Sequence, residues 1–448
     1  MEKIQTLKIE NFSNSGEGIA RVDGYVIFVE NALPNDVVKV EITKQNKNFA
    51  KGKILEIIKP SENRVQPFCA LYNACGACSL QHADYQHQLQ LKKMIVQDAM
   101  KNIANLDIEV QDVEPSPKIR EFRCKIQYPT AQTKVSKRIL AGYYKPKSHE
   151  ITNIKHCPIQ PKICDEIIEF IRQTAQQLGI SCYDEKKREG LLRHIVIRYS
   201  EYNNDILLTF VVNESKIPQQ LKILGEKVFE KFTKIKGICV NFNQTHSNLI
   251  LDRTSVLLCG TGEIEEKLLD KIFLIGPNTF FQVNPKSAEN IFKYVKEIVQ
   301  TNHKEATVLD AYAGIASFGI IISDVAKSVI SIEENPNSTA LAQKVIQNNN
   351  IKNVEVRTGD SGEFLSTCKE KFDVIILDPP RKGCDELTLK EAMRLCKSHI
   401  IYVSCNPSTL ARDLKYLAQN GAKILSVKPF DMFCHSLHVE SVAIIQVG

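Results

Sequence analysis

The first sixty residues alternate apolar and polar positions over short stretches. Gly18–Arg21 and Tyr25–Val29 flank Val22-Asp23-Gly24, and an Asp-Gly pair between two alternating runs is a strong hairpin signal. A second pair of runs, Val37–Ile42 and Gly52–Ile58, is joined by a polar loop carrying Lys44, Lys47 and Lys51. Four or five short strands in so little chain predict a small closed β-barrel of the OB or SH3 kind. Its lysines suit either RNA contact or a solvated hairpin tip. Lys59-Pro60-Ser61 reads as a boundary. The next stretch mixes helix and strand periods. Helices are expected at Leu89–Ile103, Pro161–Leu178 and Pro218–Thr233, and strands at Leu191–Arg198, Ile206–Val212 and Gly237–Phe242.

Beyond residue 276 the pattern is clearest. Apolar runs of strand length recur at Thr307–Leu309, Ser328–Ile332, Val354–Arg357, Val374–Leu377, His399–Val403, Lys423–Val427 and Val439–Val447. Helical periods separate most of them, as at Asn337–Asn348, Leu387–Cys396 and Ser408–Ala418, and a long helix is expected from Pro285. This alternation predicts an α/β, doubly wound, mainly parallel sheet whose ligands sit beyond the carboxyl ends of its strands. The organisation expected is a barrel over 1–59, a mixed α+β middle domain over 60–275 and a Rossmann-like domain over 276–448.

Composition adds limits. Of 448 residues, 25% are charged and 43% hydrophobic, which excludes a wholly disordered chain. Lys and Arg total 58 against 52 acids, a net charge of +6 that permits a nucleic-acid partner without requiring one. No run approaches the roughly 18 apolar residues of a membrane helix, and the N-terminus has no signal-peptide core. A cytoplasmic protein that binds no membrane is expected, and a monomer. The chain has 14 Cys and no Trp. In a reducing compartment those cysteines are buried hydrophobes, apart from any that ligate metal or act as a nucleophile.

Four places carry candidate chemistry. The first strand of the sheet ends in Asp310-Ala-Tyr312-Ala-Gly314-Ile-Ala316, a turn of small residues where backbone can approach a ligand, and the next ends in Glu333-Glu334. Ala316 replaces the second glycine of the dinucleotide fingerprint. Loop and acid together suit a nucleoside cofactor without pyrophosphate, S-adenosylmethionine better than NAD, against the alternative of a structural turn. The fourth strand ends in Asp378-Pro379-Pro380-Arg381, whose prolines present the acid rigidly unless they only build a β-turn. The fifth ends in Ser404-Cys405-Asn406-Pro407 directly before a helix, whose N-terminus is expected to lower the Cys405 pKa; this is the best-placed nucleophile. Finally, Cys69-x5-Cys75-x2-Cys78 with Cys157-Pro158 gathers four thiols, read as ligands of zinc or of an iron–sulfur cluster.

Asp378-Pro-Pro-Arg, Ser404-Cys405-Asn-Pro and His435-Ser-Leu-His438-Val-Glu440 resemble the signatures of the RNA uracil-5-methyltransferases. The barrel resembles the TRAM domain of the 23S ribosomal RNA members, and Phe280-Phe281-Gln282-Val283-Asn284 is similar to a further motif of that family. The resemblance spans essentially the whole chain. It implies methylation of a uridine at carbon 5, with Cys405 adding to carbon 6, Glu440 removing the carbon 5 proton and Asp378 binding the uracil edge. It implies S-adenosylmethionine held by Gln282, Tyr312, Glu333 and Asp378. It also implies a 4Fe–4S cluster on Cys69, Cys75, Cys78 and Cys157, with a structural role. His435 and His438 are expected to pack and shape their loop.

The target implied is 23S rRNA, with a transfer-RNA uracil methyltransferase as the runner-up. Amino methylation is a rival that Arg381 and Cys405 argue against, and a non-catalytic iron–sulfur RNA-binding protein is another. For RNA contact the basic residues Arg120, Arg123, Lys125, Lys134, Lys137, Arg138, Lys145 and Lys147 are candidates, with Tyr128, Tyr143 and Tyr144 among them.

Overall fold

The computed structural model describes residues 3–303 and 305–448. Its N-terminal part is a six-stranded sheet between Ile4 and Lys59. The hairpin Glu17–Val22/Tyr25–Glu30 turns on Asp23 and Gly24, both at positive φ (49° and 81°), which the Asp-Gly pair accommodates at little cost. The run Ile4–Phe12 pairs at its start with Val37–Gln45 and at its end with Glu17–Val22, so one segment closes the sheet on itself. Leu7, Ile9, Ile27, Val29, Val38 and Val40 fill the interior.

A second six-stranded sheet, mostly antiparallel, runs in the order Ser255–Gly260, Ile235–Phe242, Ile206–Val212, Leu192–Tyr199, Lys125–Gln132, Ile139–Ala141. The helices Lys162–Gln177 and Gln219–Lys231 share its hydrophobic core. The edge strand Ser255–Gly260 and the hairpin Ile264–Leu268/Lys271–Ile275 are absent from the sequence-based expectation. Ser255–Gly260 is half exposed and shows no alternation of burial that a hydropathy pattern could register.

The third sheet has seven strands, in the order Val354–Thr358, Ala326–Glu333, Ala306–Ala311, Phe372–Leu377, Cys396–Ser404, Glu440–Gln446, Lys423–Phe430. The first five are parallel and Glu440–Gln446 runs antiparallel between its neighbours, as a mainly parallel doubly wound sheet allows. One face is covered by the helices Pro285–Asn302, Ser317–Ile322 and Pro336–Asn348. The other is covered by Ser361–Thr367, Glu386–Leu395 and Pro407–Gln419. The helix Tyr85–Ala99, capped by Asp84 accepting from the His87 N–H, continues as a π-turn to Ala104 and packs Val96, Ala99 and Met100 into this second layer. Strand order reverses between Ala306–Ala311 and Phe372–Leu377, the place where open sheets of this kind leave a crevice.

Candidate active site

Register assembles the site. Ala311 pairs with Leu377, Leu377 with Tyr402, and Ser404 with Ser441. One residue further on, Tyr312 and Asp378 leave neighbouring parallel strands together. The same step in the antiparallel pair sets Cys405 opposite Glu440. Sequence motifs separated by up to 130 residues thus converge at one edge of one sheet.

The charges there perturb one another. Burial pushes the Asp378 carboxyl up to about 7, with the Asp310 charge adding to the effect. Glu440 is 7% exposed, and burial followed by the Asp378 charge raises its carboxyl well above the usual range; Arg381 opposes this. Cys405 is half-buried. Burial and then the Glu440 charge raise its thiol, while the nearby Arg381 guanidinium pulls it down. The thiol therefore sits above its ordinary value, where a lowering by the following helix was expected. Asn406 caps that helix, accepting from the Ser408 N–H at 3.1 Å.

The loop after Ala311 is held open by backbone conformation. Tyr312, Gly314 and Ala316 all sit at positive φ (64°, 59° and 58°), so Ala316 adopts the left-handed state that usually selects glycine. Glu333 spans this turn: its carboxylate accepts from the Gly314 N–H and the Asn335 N–H, both at 2.9 Å. Burial raises its carboxyl. Ser361 Oγ accepts from the Tyr312 N–H at 3.1 Å, placing the start of the next helix against the same loop. Asp310 is fully buried, with one oxygen accepting from Gly319 N–H and Ser331 Oγ and the other without a partner; burial pushes it up to about 7.

Gln282 comes from a segment tied to the loop before Glu440 through Asn284, which donates to the Met432 carbonyl at 3.3 Å. It lies in the segment before the helix Pro285–Asn302, which Asn284 caps. The central sheet pins that segment: the Cys124 N–H donates to the Val283 carbonyl at 2.7 Å, and the buried Arg198 donates to the Thr279 carbonyl. Two residues before Gln282, Phe280 stands 57% exposed with the Lys125 ammonium 5.9 Å from its ring centre. Burial, with Arg198 and Arg123 nearby, pushes Lys125 down to about 7.

The four cysteines singled out by spacing also converge. Cys69, Cys75, Cys78 and Cys157 all line one small cavity of about 20 Å³, walled in part by Leu71, Tyr72, Ile154 and Ile159. No three thiol, imidazole or carboxylate groups among the described residues converge tightly enough to hold a single metal ion. Burial pushes Cys78 up to about 11 and Cys157 up to about 12, so as isolated thiols they stay protonated. Gly76 fits where its N–H donates to the Tyr144 carbonyl, and an added Cβ would lie 2.8 Å from that oxygen.

His435 packs and shapes its loop. Its carbonyl accepts from Ser79 and Leu80, and its ring nitrogen bonds the Ile119 carbonyl at 2.7 Å. The aromatic part of the basic region needs correction: Tyr128 is fully buried and meets Tyr143 edge-on, so it offers no face to a base. Lys145 and Lys147 pair with Glu150 and Glu30, and Arg120 stacks on Phe68. An exposed aromatic near the basic region is Phe280, whose neighbourhood to Lys125 no local pattern reveals. Asp310 was legible as a strand end but not as a fully buried acid.

Comparison with known proteins identifies the family. The family described as tRNA (Uracil-5-)-methyltransferase matches residues 261–447, and the TRAM domain matches residues 2–55. An uncharacterized RNA methyltransferase of Oceanobacillus iheyensis is 38% identical, covering 98% of this chain and 96% of its own. A second, from Clostridium tetani, is 36% identical over 98% of this chain and 95% of its own. The crystal structure of the Pyrococcus abyssi tRNA (uracil-54, C5)-methyltransferase with S-adenosyl-L-homocysteine superposes with a TM-score of 0.78 at 28% identity, covering 98% of this chain and all of that one.

Proposed function

This chain belongs to the TRAM-containing RNA (uracil-5-)-methyltransferase family and is an S-adenosylmethionine-dependent RNA methyltransferase; from that premise we propose that it methylates carbon 5 of a specific uridine in 23S ribosomal RNA through covalent addition of Cys405 to the base. The observation that carries the reading is the register that sets Cys405 opposite Glu440, with Asp378 and Arg381 beside them.

Carbon 5 of uracil is a weak nucleophile until carbon 6 is saturated. The Cys405 thiolate forms a bond to carbon 6, and the electrons of the 5,6 double bond move towards the carbon 4 oxygen. Arg381 stabilises the thiolate before attack. Asp378, whose carboxyl burial pushes up to about 7, donates in its protonated form to the uracil edge where negative charge develops. S-adenosylmethionine, when bound, supplies the electrophilic methyl group. The open turn at Tyr312–Ala316, the Glu333 carboxylate and Gln282 form the cradle for it. Glu440, once deprotonated, removes the carbon 5 proton, and the carbon–sulfur bond breaks to free Cys405. The target base has to leave its stack to reach this edge.

Cys69, Cys75, Cys78 and Cys157 would hold a 4Fe–4S cluster, whose chemistry there is a structural cross-link between the segment after the barrel and the central sheet. The barrel and these cysteines support the ribosomal target; the full-length likeness to the Pyrococcus abyssi enzyme favours transfer RNA as the second reading. RNA tritiated at uracil position 5 tests the reaction, because methylation there must release tritium to water. Absence of release from any cellular RNA would overturn it. Mass spectrometry of ribosomal and transfer RNA from a deletion strain, asking which 5-methyluridine disappears, decides between the targets. No helix among the described residues is long and apolar enough to cross a membrane.

A further inference from the structure

The loop that carries Asp378 and Arg381 is gripped by the helix that follows Cys405. Asp413, on that helix, is 1% exposed. One of its oxygens accepts from the Cys384 N–H at 2.9 Å, in the loop, and from the Tyr402 hydroxyl at 2.6 Å, three residues before Cys405. Its other oxygen pairs with Arg412 at 2.7 Å. Arg412 in turn donates to the Lys382 carbonyl at 3.0 Å and the Cys384 carbonyl at 2.9 Å. Asn406 and Thr409 donate to the Arg381 carbonyl at 3.2 and 3.3 Å. Gly383 completes the fit: at φ +73° it tolerates the left-handed turn, and a Cβ there would stand 2.5 Å from the Asp413 carboxylate.

We propose that Asp413, with Arg412, is a positioning residue for methyl transfer: it holds the loop that carries Asp378 and Arg381 in place against the strand end that delivers Cys405, and so sets the reactivity of that thiol. One buried carboxylate touches both the strand that delivers Cys405 and the loop that delivers Arg381, so their relative position is set through it. Hydrogen bonds to a buried anion are short and directional, and removing the charge loosens every one of them. The inference rests on the reading of Cys405 as the nucleophile, and the test separates the two.

The test compares Asp413→Asn, Thr409→Val and Gly383→Ala with the parent protein. Alkylation of Cys405 by iodoacetamide is followed across pH by peptide mass spectrometry, binding of S-adenosylhomocysteine by calorimetry, and turnover by tritium release from RNA labelled at uracil position 5. The expected result is a Cys405 titration displaced upward by half a pH unit or more and turnover lowered at least tenfold in Asp413→Asn. Smaller changes in the same direction are expected in the other two variants, with S-adenosylhomocysteine affinity within threefold of the parent. If Asp413→Asn fails to fold, the other two variants decide. An unchanged alkylation profile with normal turnover overturns the proposal, and so does loss of cofactor binding in parallel with activity, which marks a merely structural role. Full turnover by Cys405→Ala would instead overturn the nucleophile assignment.

Discussion

The Lys92 ammonium lies 2.5 Å from the Asp431 carboxylate, and both side chains are fully buried. Asp431 also accepts from the Tyr85 hydroxyl at 2.8 Å, and Lys92 donates to the Phe433 carbonyl at 3.0 Å. The pair therefore ties the helix Tyr85–Ala99 to the loop that leads into Glu440. Removing one partner of a buried pair strands the other charge. Asp431→Ala is expected to cost about 3–5 kcal/mol of stability, read by urea unfolding. Adding Lys92→Met should recover most of that loss, since two apolar groups leave no orphaned charge. A double variant as unstable as the single one would refute the account.

Glu440 and Cys405 act at different steps, so their variants should fail differently. Glu440→Gln keeps the shape and can still form the carbon–sulfur bond, but it cannot take the carbon 5 proton. Turnover is expected to fall about 10²–10⁴-fold, with a protein–RNA adduct surviving denaturing electrophoresis. Cys405→Ala should lose both turnover and adduct. An adduct formed by Cys405→Ala would identify a different nucleophile.

Activity should rise with pH. Burial holds the acid forms of Glu440 and Cys405 in the resting protein, and both have to lose a proton to work. The expected profile of kcat/KM climbs up to about a hundredfold per unit while both groups titrate, and less steeply above about 7, where Asp378 loses the proton it donates. A profile flat from pH 6 to 8 would contradict it. Stability runs the other way at Asp310. Its folded value of about 7 exceeds the ordinary 3.8, so the folded chain binds the extra proton. The contribution is fully present below pH 3.8 and is lost as pH rises towards 7. Asp310→Asn should therefore flatten the decline in stability across that window, measured by urea unfolding at each pH.

The strand-and-helix alternation after residue 276 was legible because parallel strands are buried on both faces and read as unbroken apolar runs. The motifs at Asp378 and Cys405 could be placed on strand ends for the same reason. What the pattern could not supply was distance in the third dimension. The clamp from Asp413 to Cys384 joins residues 29 apart across a helix, a strand and the start of a second helix, and an acid within a helix reads as solvent-facing. Tyr128 failed in the opposite sense: its basic neighbours along the chain suggested a surface, yet it points into the core beneath them. The short hairpin Ile264–Leu268/Lys271–Ile275 left too few residues for a period to show.

The cysteine cavity makes the last prediction. Thiols that burial keeps protonated are poor partners for one another, and four lining one small apolar cavity gain good partners only where a metal centre draws off their protons and binds all four. Anaerobic purification is expected to yield a brown protein containing iron and acid-labile sulfide. Cys78→Ser or Cys157→Ser should lose the colour and unfold at lower denaturant, because the cross-link between the segment after the barrel and the central sheet is gone. The Cys405→Ala variant should keep the colour, since its sulfur lies on the other sheet. A colourless protein containing zinc would refute the iron–sulfur assignment while leaving the four thiols as ligands. A colourless, metal-free protein as stable as its Cys78→Ser variant would remove the metal centre altogether.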